Sequence, residues 1–350
     1  MINRRVSKKI VIGDTYIGGD SRITIQSMTT TDTRDIKKTV IQIKELENAG
    51  CEIIRVAVPN IEAANALSEI KKQINIPLVA DIHFDYNLAL LSIKNGVDKL
   101  RINPGNIGDE SRVRKVVDYA KEKNIPIRIG VNSGSIEKEI LEKYNGVNAK
   151  GIVESALKHV KILEKQNFDN IVIALKSSDI ITTIESYKLM AKEVNYPFHI
   201  GITESGTLHS GTVKSSIGIG SLLLSGLGDT LRVSLTGNPI KEVELGREIL
   251  RDVGIRNEGI NLISCPTCGR CNIDLEKIAL QVEEKIKHLN KNITLAIMGC
   301  AVNGPGEASN ADIGIAGGIN EALIFKKGKI LKKVKEEELI EELVKEIEKI

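Results

Sequence analysis

Short apolar runs rich in β-branched residues alternate with helix-period stretches over the first 254 residues. The apolar runs predict strands, because a strand that is buried on both faces of a parallel sheet is apolar throughout. The stretches between them predict amphipathic helices, since their apolar positions recur every three to four residues. The predicted strands are 23–28, 53–58, 78–82, 99–102, 127–131, 171–175, 199–203 and 230–235, and the predicted helices are 39–48, 62–74, 112–123, 152–166, 182–194, 212–225 and 240–252.

This alternation predicts an α/β fold, a (β/α)8 TIM-type barrel over residues 1–254. An open doubly wound sheet is the alternative. It is disfavoured because no complete glycine fingerprint for a dinucleotide follows a strand. Gly218 and Gly220 have the first spacing of that motif, but Leu223 stands where the third glycine belongs.

The pattern changes after a break at residues 253–259. Residues 255–350 predict a small α+β domain, which agrees with a chain of 350 residues being longer than one core usually serves. Its predicted strands are 261–264, 294–298, 313–316, 321–325 and 329–333, and its predicted helices are 275–289 and 336–349.

Composition narrows the class of protein. The net charge of +3 and an aromatic content of 3% argue against a nucleic-acid-binding surface. The basic N-terminus is not followed by an apolar run, and no stretch approaches the length of a membrane span. An odd number of cysteines, five, indicates reduced thiols and metal ligands. We therefore expect a soluble cytoplasmic protein.

Polar residues recur where the predicted barrel strands end, the position of catalytic residues in such barrels. Asp81 or Arg55 alone would be an ordinary buried ion pair, but this much positive charge at one mouth exceeds what packing needs. One guanidinium group can donate two parallel hydrogen bonds to two phosphate oxygens. We therefore expect a phosphate or diphosphate ester as the ligand. The candidate site residues are Arg55, Asp81, His83, Arg101, Asn103, Arg128, Asn132, Lys176, Glu204, Arg232 and Ser234.

Cysteines mark a second candidate site, in the C-terminal domain. Cys265 and Cys268 have the CxxC spacing that directs two thiolates at one metal. Cys300 joins them if the chain folds back, and the turn Asn-Gly-Pro-Gly that follows it ends at Glu307. A zinc site and an iron–sulfur cluster both suit such ligands.

Four motifs together resemble the 4-hydroxy-3-methylbut-2-enyl diphosphate synthase family of the non-mevalonate isoprenoid pathway. They are Cys265-Pro-Thr-Cys-Gly-Arg, Gly299-Cys-Ala-Val-Asn-Gly-Pro-Gly-Glu307, Arg101-Ile-Asn-Pro-Gly-Asn106 and Arg128-Ile-Gly-Val-Asn132. The resemblance covers essentially the whole chain. It implies a barrel followed by a domain that resembles sulfite-reductase modules and carries one 4Fe-4S cluster.

The resemblance also implies an activity. Family enzymes reductively open 2-C-methyl-D-erythritol 2,4-cyclodiphosphate and release water, with single electrons from flavodoxin or ferredoxin, and resemble head-to-tail homodimers. By position, Cys265, Cys268, Cys300 and Glu307 correspond to the cluster ligands, and Glu204 to an acid near the substrate carbons. The diphosphate clamp corresponds to Arg55, Arg101, Arg128 and Lys176, and the rest of the polar mouth to Asp81, His83, Asn103, Asn132, Arg232 and Ser234.

Several alternatives stay open from the sequence. Cys271 extends the motif to CxxCxxC, so that four sulfurs could hold the cluster without Glu307. The chain could instead be a phosphate-ester-binding barrel enzyme with a structural zinc ribbon, or a zinc-ribbon binding protein. Cys51 is expected to be an inert buried residue.

Overall fold

The computed structural model describes residues 2–286, 289, 291–300, 308–319 and 321–350. It divides into two units, Met1–Val253 and Gly254–Ile350. Within the described ranges, no helix combines the length and the apolar character needed to cross a membrane.

Eight parallel strands form the sheet of the first unit. In sheet order each strand pairs with its neighbour, and a single bridge between Ile173 and Phe198 joins the two ends of the sheet. The predicted α/β barrel is confirmed, and the open doubly wound sheet is excluded. The strands are β3 (Thr24–Met28), β4 (Ile53–Ala57), β5 (Leu78–Asp81), β6 (Lys99–Arg101), β7 (Ile127–Asn132), β8 (Ile171–Lys176), β9 (His199–Ile200) and β10 (Thr230–Leu231).

Helices connect these strands, and most of them begin at an Asp or Asn whose side chain accepts a main-chain N–H of the first turn. Two helices were not predicted from the sequence, namely α3, which supplies the crossover between β5 and β6, and the short α5. The helices are α1 (Ile36–Asn48), α2 (Ile61–Lys71), α3 (Tyr86–Lys94), α4 (Glu110–Glu122), α5 (Lys138–Lys143), α6 (Ala149–Glu164), α7 (Ile180–Glu193), α8 (Leu208–Leu224) and α9 (Pro239–Asp252).

Strands β9 and β10 are shorter than predicted, since they end at Ile200 and Leu231 and not at residues 203 and 235. A Cβ atom on Gly201 would lie 2.4 Å from the carbonyl oxygen of Arg232. The two backbone segments that follow β9 and β10 therefore approach each other more closely than a side chain at position 201 would allow. The residues beyond this point form loops at the carboxyl end of the barrel.

A hairpin that the sequence analysis did not predict precedes the barrel. Its strands, β1 (Ile10–Ile12) and β2 (Thr15–Ile17), pair antiparallel. Ile10, Ile12 and Ile17 pack in one cluster with residues near the starts of three barrel strands, namely Ile53, Val79 and Val172. The hairpin therefore closes the amino-terminal end of the barrel and leaves the carboxyl end for a site.

The second unit is a mixed five-stranded sheet with helices packed on it. Strands β11 (Asn261–Ser264), β12 (Thr294–Met298) and β13 (Ile313–Gly317) are parallel, whereas β14 (Glu321–Lys326) and β15 (Lys329–Lys335) continue the sheet antiparallel. Helices α10 (Leu275–Ile286) and α11 (Leu339–Glu348) pack apolar residues against it. This α+β order agrees with the sequence pattern.

Because Ile12 is fully buried beneath the barrel, Ile12→Ala should lower the free energy of unfolding by about 2–4 kcal/mol. Val11 is the matched control, since it is the next residue of the same strand and its side chain is exposed. Val11→Ala should change stability by less than about 0.5 kcal/mol. Urea unfolding measures both, and equal effects would show that the hairpin does not close the barrel.

Candidate active site

The ladder registers place most of the predicted site residues on the inner face of the barrel, near its carboxyl end. Asp81 is in register with Arg101, Arg101 with Arg128, and Asn132 with Lys176. Side chains in register on neighbouring strands point to the same face of a sheet. The strands therefore bring together residues that lie far apart in the sequence.

Asp81 is the shared carboxylate of this mouth. Its Oδ1 lies 3.2 Å from Arg101 Nη1, and its Oδ2 lies 3.6 Å from Arg55 Nε. His83 Nε2 lies 3.7 Å from Asp81 Oδ1. Burial alone would raise the pKa of Asp81, but the charges of Arg55 and Arg101 outweigh it and hold that pKa below its ordinary value. Asp81 is therefore an anion that holds two guanidinium groups in place.

Asn103 fixes the neighbouring strand end. Its Nδ2 donates to the carbonyl oxygen of Gly130 at 3.0 Å, and its Oδ1 accepts from the Gly130 amide at 3.0 Å. Arg101 Nη2 donates to the same carbonyl at 3.3 Å. A Cβ on Gly130 would lie 3.1 Å from Arg101 Nε, so the absence of a side chain makes room for the guanidinium.

A second carboxylate, Glu242, holds Arg232. Glu242 Oε2 lies 3.4 Å from Arg232 Nε, and Glu242 Oε1 accepts the amide of Leu235 at 2.9 Å. Glu242 was not predicted as a site residue, because it lies in the first turn of α9, where an acidic side chain is already accounted for by the helix dipole. Met28 lies between the two sides of the mouth, with its sulfur 2.8 Å from Arg55 Nη2 and 3.7 Å from Arg232 Nη1.

Positive charge exceeds negative charge in this part of the barrel. Arg128 and Lys176 are buried, and burial together with neighbouring cations lowers the pKa of each well below its ordinary value. Burial also lowers the pKa of Arg55, to about 10. Arg128 Nε and Nη1 are buried without a hydrogen-bond partner among the described residues. An anionic ligand would supply what these groups lack.

The remaining predicted residues lie at the rim. Asn132 and Ser234 are half-buried, and the side chains of His83 and Glu204 are exposed. Glu204 has a φ of +53°, a left-handed conformation that is costly for a residue with a side chain. Strain of this kind is concentrated at functional sites. The structure thus brings together the predicted cations and Asp81 and places Glu204 on a loop that follows β9.

Lys99 is a buried cation that the sequence analysis overlooked. It lies two residues before Arg101 on β6, so both side chains point into the barrel. Its side chain is completely buried. The alternation Lys-Leu-Arg within a predicted barrel strand was the signal that could have identified it.

In the second unit, the carboxyl ends of two parallel strands bring the cysteine segments together. Cys265 directly follows β11, and its amide donates to the carbonyl oxygen of Ile297 on β12 at 3.3 Å. The amide of Gly299, directly before Cys300, donates to Cys265 Sγ at 3.3 Å. The Cys300 segment therefore lies beside the Cys265 loop, which is the condition for the two segments to share a site.

The other cysteines differ in surroundings. Cys268 is exposed, and hydrogen bonds from Arg270 lower the pKa of its thiol. Cys271 is half-buried, packs against the core of this unit and points its sulfur at the carbonyl oxygen of Ile273, 3.2 Å away. Cys51 is buried in the first unit, and burial raises the pKa of its thiol to about 12, as expected of an inert residue.

The donor types in this loop fit an iron–sulfur cluster, since thiolates ligate iron and a main-chain N–H already points at one sulfur. Among the residues that the structure describes, no three His, Cys, Asp or Glu side chains form a group that could hold a metal ion. Glu307, the predicted fourth ligand, lies outside the described residues.

The fold and the sites together define a class of two-domain protein. One domain is a TIM-type barrel with a cationic mouth, and the other is an α+β unit that carries cysteines. Two family models match successive parts of the chain. The GcpE TIM-barrel domain matches residues 7–247, and the GcpE protein C-terminal domain matches residues 261–349. The chain belongs to the GcpE family.

Relatives match over the full length. Proteins named 4-hydroxy-3-methylbut-2-en-1-yl diphosphate synthase (flavodoxin) are 62% identical in Clostridium acetobutylicum, over 99% of both chains, and 60% identical in Clostridium perfringens, over 100% of both. The protein of that name from Caldanaerobacter subterraneus subsp. tengcongensis is 62% identical, over 99% of this chain and 98% of its own.

Solved structures of low identity show the fold alone. N-acetylneuraminic acid (sialic acid) synthetase from Leptospira borgpetersenii serovar Hardjo-bovis aligns with a TM-score of 0.51 at 13% identity, over 82% of this chain and 99% of that chain. 3-Dehydroquinate dehydratase from Geobacillus kaustophilus HTA426 aligns with a TM-score of 0.50 at 14% identity, over 71% of this chain and 99% of that chain.

Replacement of the shared carboxylate tests the charge arrangement of the mouth. Asp81→Asn should lower the free energy of unfolding at neutral pH by about 3–5 kcal/mol, because two buried guanidinium groups lose their counter-charge. Asp118→Asn, at an exposed position of α4, is the control and should change stability by less than about 0.5 kcal/mol. Urea unfolding compares them, and an Asp81→Asn protein as stable as the control would contradict the ion-pair assignment.

Proposed function

We propose that this protein converts 2-C-methyl-D-erythritol 2,4-cyclodiphosphate to 4-hydroxy-3-methylbut-2-enyl diphosphate and water, with two electrons delivered singly by flavodoxin. The observation that carries the proposal is the surplus of buried cations at the carboxyl end of a barrel. Full-length relatives at about 60% identity bear the name of this enzyme with flavodoxin. Enzymes of this family are iron–sulfur oxidoreductases of isoprenoid biosynthesis.

In the proposed complex, the diphosphate of the substrate binds to Arg55, Arg101, Arg128 and Lys176. Arg128 supports this role, since two of its buried N–H groups have no partner within the described chain. Guanidinium forks match phosphate oxygens in geometry, and a buried site strengthens each contact. The proposed binding set also includes Asp81, His83, Asn103, Asn132, Arg232 and Ser234, which orient the cations or border the mouth.

The proposed cofactor is one 4Fe-4S cluster held by Cys265, Cys268, Cys300 and Glu307. When bound, such a cluster supplies single electrons, and iron held by a weakly bound carboxylate serves as a Lewis acid. The loop after β11 and the loop after β12 already share a sheet edge, which supports a ligand set drawn from both.

Glu204 is proposed to give the proton that the departing hydroxyl needs to leave as water. Its exposed side chain on the loop after β9 allows proton exchange with solvent. The left-handed backbone conformation of Glu204 supports a functional role, because the side chain is exposed and its packing does not account for the strained backbone. Catalysis would then require both Glu204 and Glu307.

The proposal also assigns a role to each domain and an oligomeric state to the protein. Residues 1–254 bind the substrate and residues 255–350 carry the cluster. A cytoplasmic homodimer is proposed from the family resemblance. The rival functions, a barrel enzyme with a zinc ribbon and a zinc-ribbon binding protein, are not favoured by the full-length relatives.

Metal analysis and turnover test the function directly. Protein purified without oxygen should contain about four iron and four sulfide per chain and little zinc, the composition of a 4Fe-4S centre. With reduced flavodoxin it should convert the cyclic diphosphate to the linear product, measured by phosphorus NMR. Zinc at about one per chain without sulfide would indicate a structural site instead.

Cysteine variants test the ligand set. Cys271→Ser should leave iron content unchanged, because the Cys271 sulfur points at the Ile273 carbonyl and packs on the core. Glu307→Ala should abolish turnover. Cys265→Ser should lose the cluster and is the positive control. Loss of iron in Cys271→Ser, together with normal turnover in Glu307→Ala, would instead assign the cluster to four cysteines.

A further inference from the structure

Lys99 lies below the mouth of the barrel, and no carboxylate among the described residues is paired with it. Its side chain is completely buried, and within the described part of the chain the hydrogen bond found for its Nζ goes to the neutral Oε1 of Gln26, at 3.3 Å. Most buried lysines are paired with an acid. If the Lys99 side chain were protonated, its charge would have no carboxylate counter-charge among the described residues.

Cations surround Lys99 from several strands. Arg55 on β4 and Arg128 on β7 act on it electrostatically, and Lys99 acts in turn on His199 of β9. His199 is also fully buried, and neither ring nitrogen has a partner among the described residues. Lys176 on β8 also acts electrostatically on His199. Arg55 and Arg128 thus add positive charge around Lys99, whereas His199 stays neutral and offers no counter-charge.

The acids of this region are engaged elsewhere. Asp81 is held by Arg55 and Arg101, and Glu242 is held by Arg232 and by the amide of Leu235. A buried ion without a partner costs several kcal/mol, which a group avoids by losing its charge where it can.

Arginine cannot lose its proton in proteins, whereas lysine can. Two buried lysines, Lys99 and Lys176, can therefore relieve the charge surplus. Lys176 belongs to the proposed diphosphate clamp, so the residue below the clamp that can do so is Lys99. The direction of its pKa agrees, since burial first, and then Arg128 and Arg55, lower the pKa of Lys99 well below its ordinary value.

We infer that Lys99 is neutral in the ligand-free barrel and takes up a proton from solvent when the anionic cyclic diphosphate binds at the mouth. This inference rests on the proposed function, which supplies the anion. Each phosphorus of the cyclic diphosphate carries one strongly acidic oxygen, so the ligand itself does not titrate near neutral pH. Binding and proton uptake at Lys99 Nζ are then coupled.

The sign of the coupling follows from linkage. A bound anion raises the pKa of Lys99 above its value in the free protein. Between those two pKa values, binding takes up a proton, so affinity falls as pH rises, by up to about tenfold per pH unit for one proton. Below both values or above both, affinity is independent of this group.

Calorimetry of the oxygen-free holoenzyme, with the cyclic diphosphate and no reductant, measures the proton count. Titrations in two buffers of different ionisation enthalpy should give about one proton taken up per ligand for the native protein. Lys99→Met should bind the ligand with close to zero uptake and a flat dependence on pH. Lys99→Arg carries a permanent charge and should also show no proton uptake on binding. This variant replaces Lys99→Met in the test if Lys99→Met does not fold.

Two control variants identify the titrating group. Lys37→Met, at an exposed position of α1, should keep the native proton count. His199→Asn should keep it as well. Uptake that survives in both Lys99 variants, or that disappears in His199→Asn, overturns the inference. Native protein that binds the ligand without proton uptake overturns it too, whereas native protein that does not bind the ligand contradicts the proposed function instead.

Discussion

An imbalance of charge inside the barrel is the constraint on which the rest of the site depends. Asp81 holds Arg55 and Arg101, and Glu242 holds Arg232. Within the described ranges, no ion pair is found for the buried cations Arg128, Lys176 and Lys99. Most barrels of this type fill their interior with branched apolar side chains. Here the interior near the carboxyl end instead holds more buried cations than acids, and the acids orient some of these cations without neutralising all of them. Such unpaired buried charges cost stability.

The surrounding fold supports this surface. The hairpin of β1 and β2 closes the amino-terminal end with isoleucines, so that end of the interior is apolar. Glycines at positions 130 and 201 make room for long cationic side chains, because a Cβ at either position would approach Arg101 Nε or Lys176 Nζ to about 3 Å. Rigid strands and small residues thus hold flexible cations in defined positions, which lowers the cost of ordering them when a ligand binds.

The second unit uses the same topological rule as the first. Parallel strands β11 and β12 deliver Cys265 and the Gly299-Cys300 segment to one edge, as the parallel barrel strands deliver the cations to one mouth. Side chains from separate loops meet at such an edge because all the parallel strands end there. The main-chain N–H of Gly299 donates to the Cys265 sulfur, and hydrogen bonds of this kind tune the potential of iron–sulfur clusters in general.

The sequence by itself determined the succession of strands and helices, the break near residue 254, the cysteine motif and most of the cations. These are local patterns, and each can be recognised in a short stretch of sequence without knowing which distant residues it contacts. Tertiary structure alone decided that Lys99 is buried against the neutral side chain of Gln26, that Glu242 reaches Arg232 from a helix, and that the N-terminal hairpin closes the barrel. Each of these depends on strand register and on contacts between distant segments, which composition and periodicity do not specify.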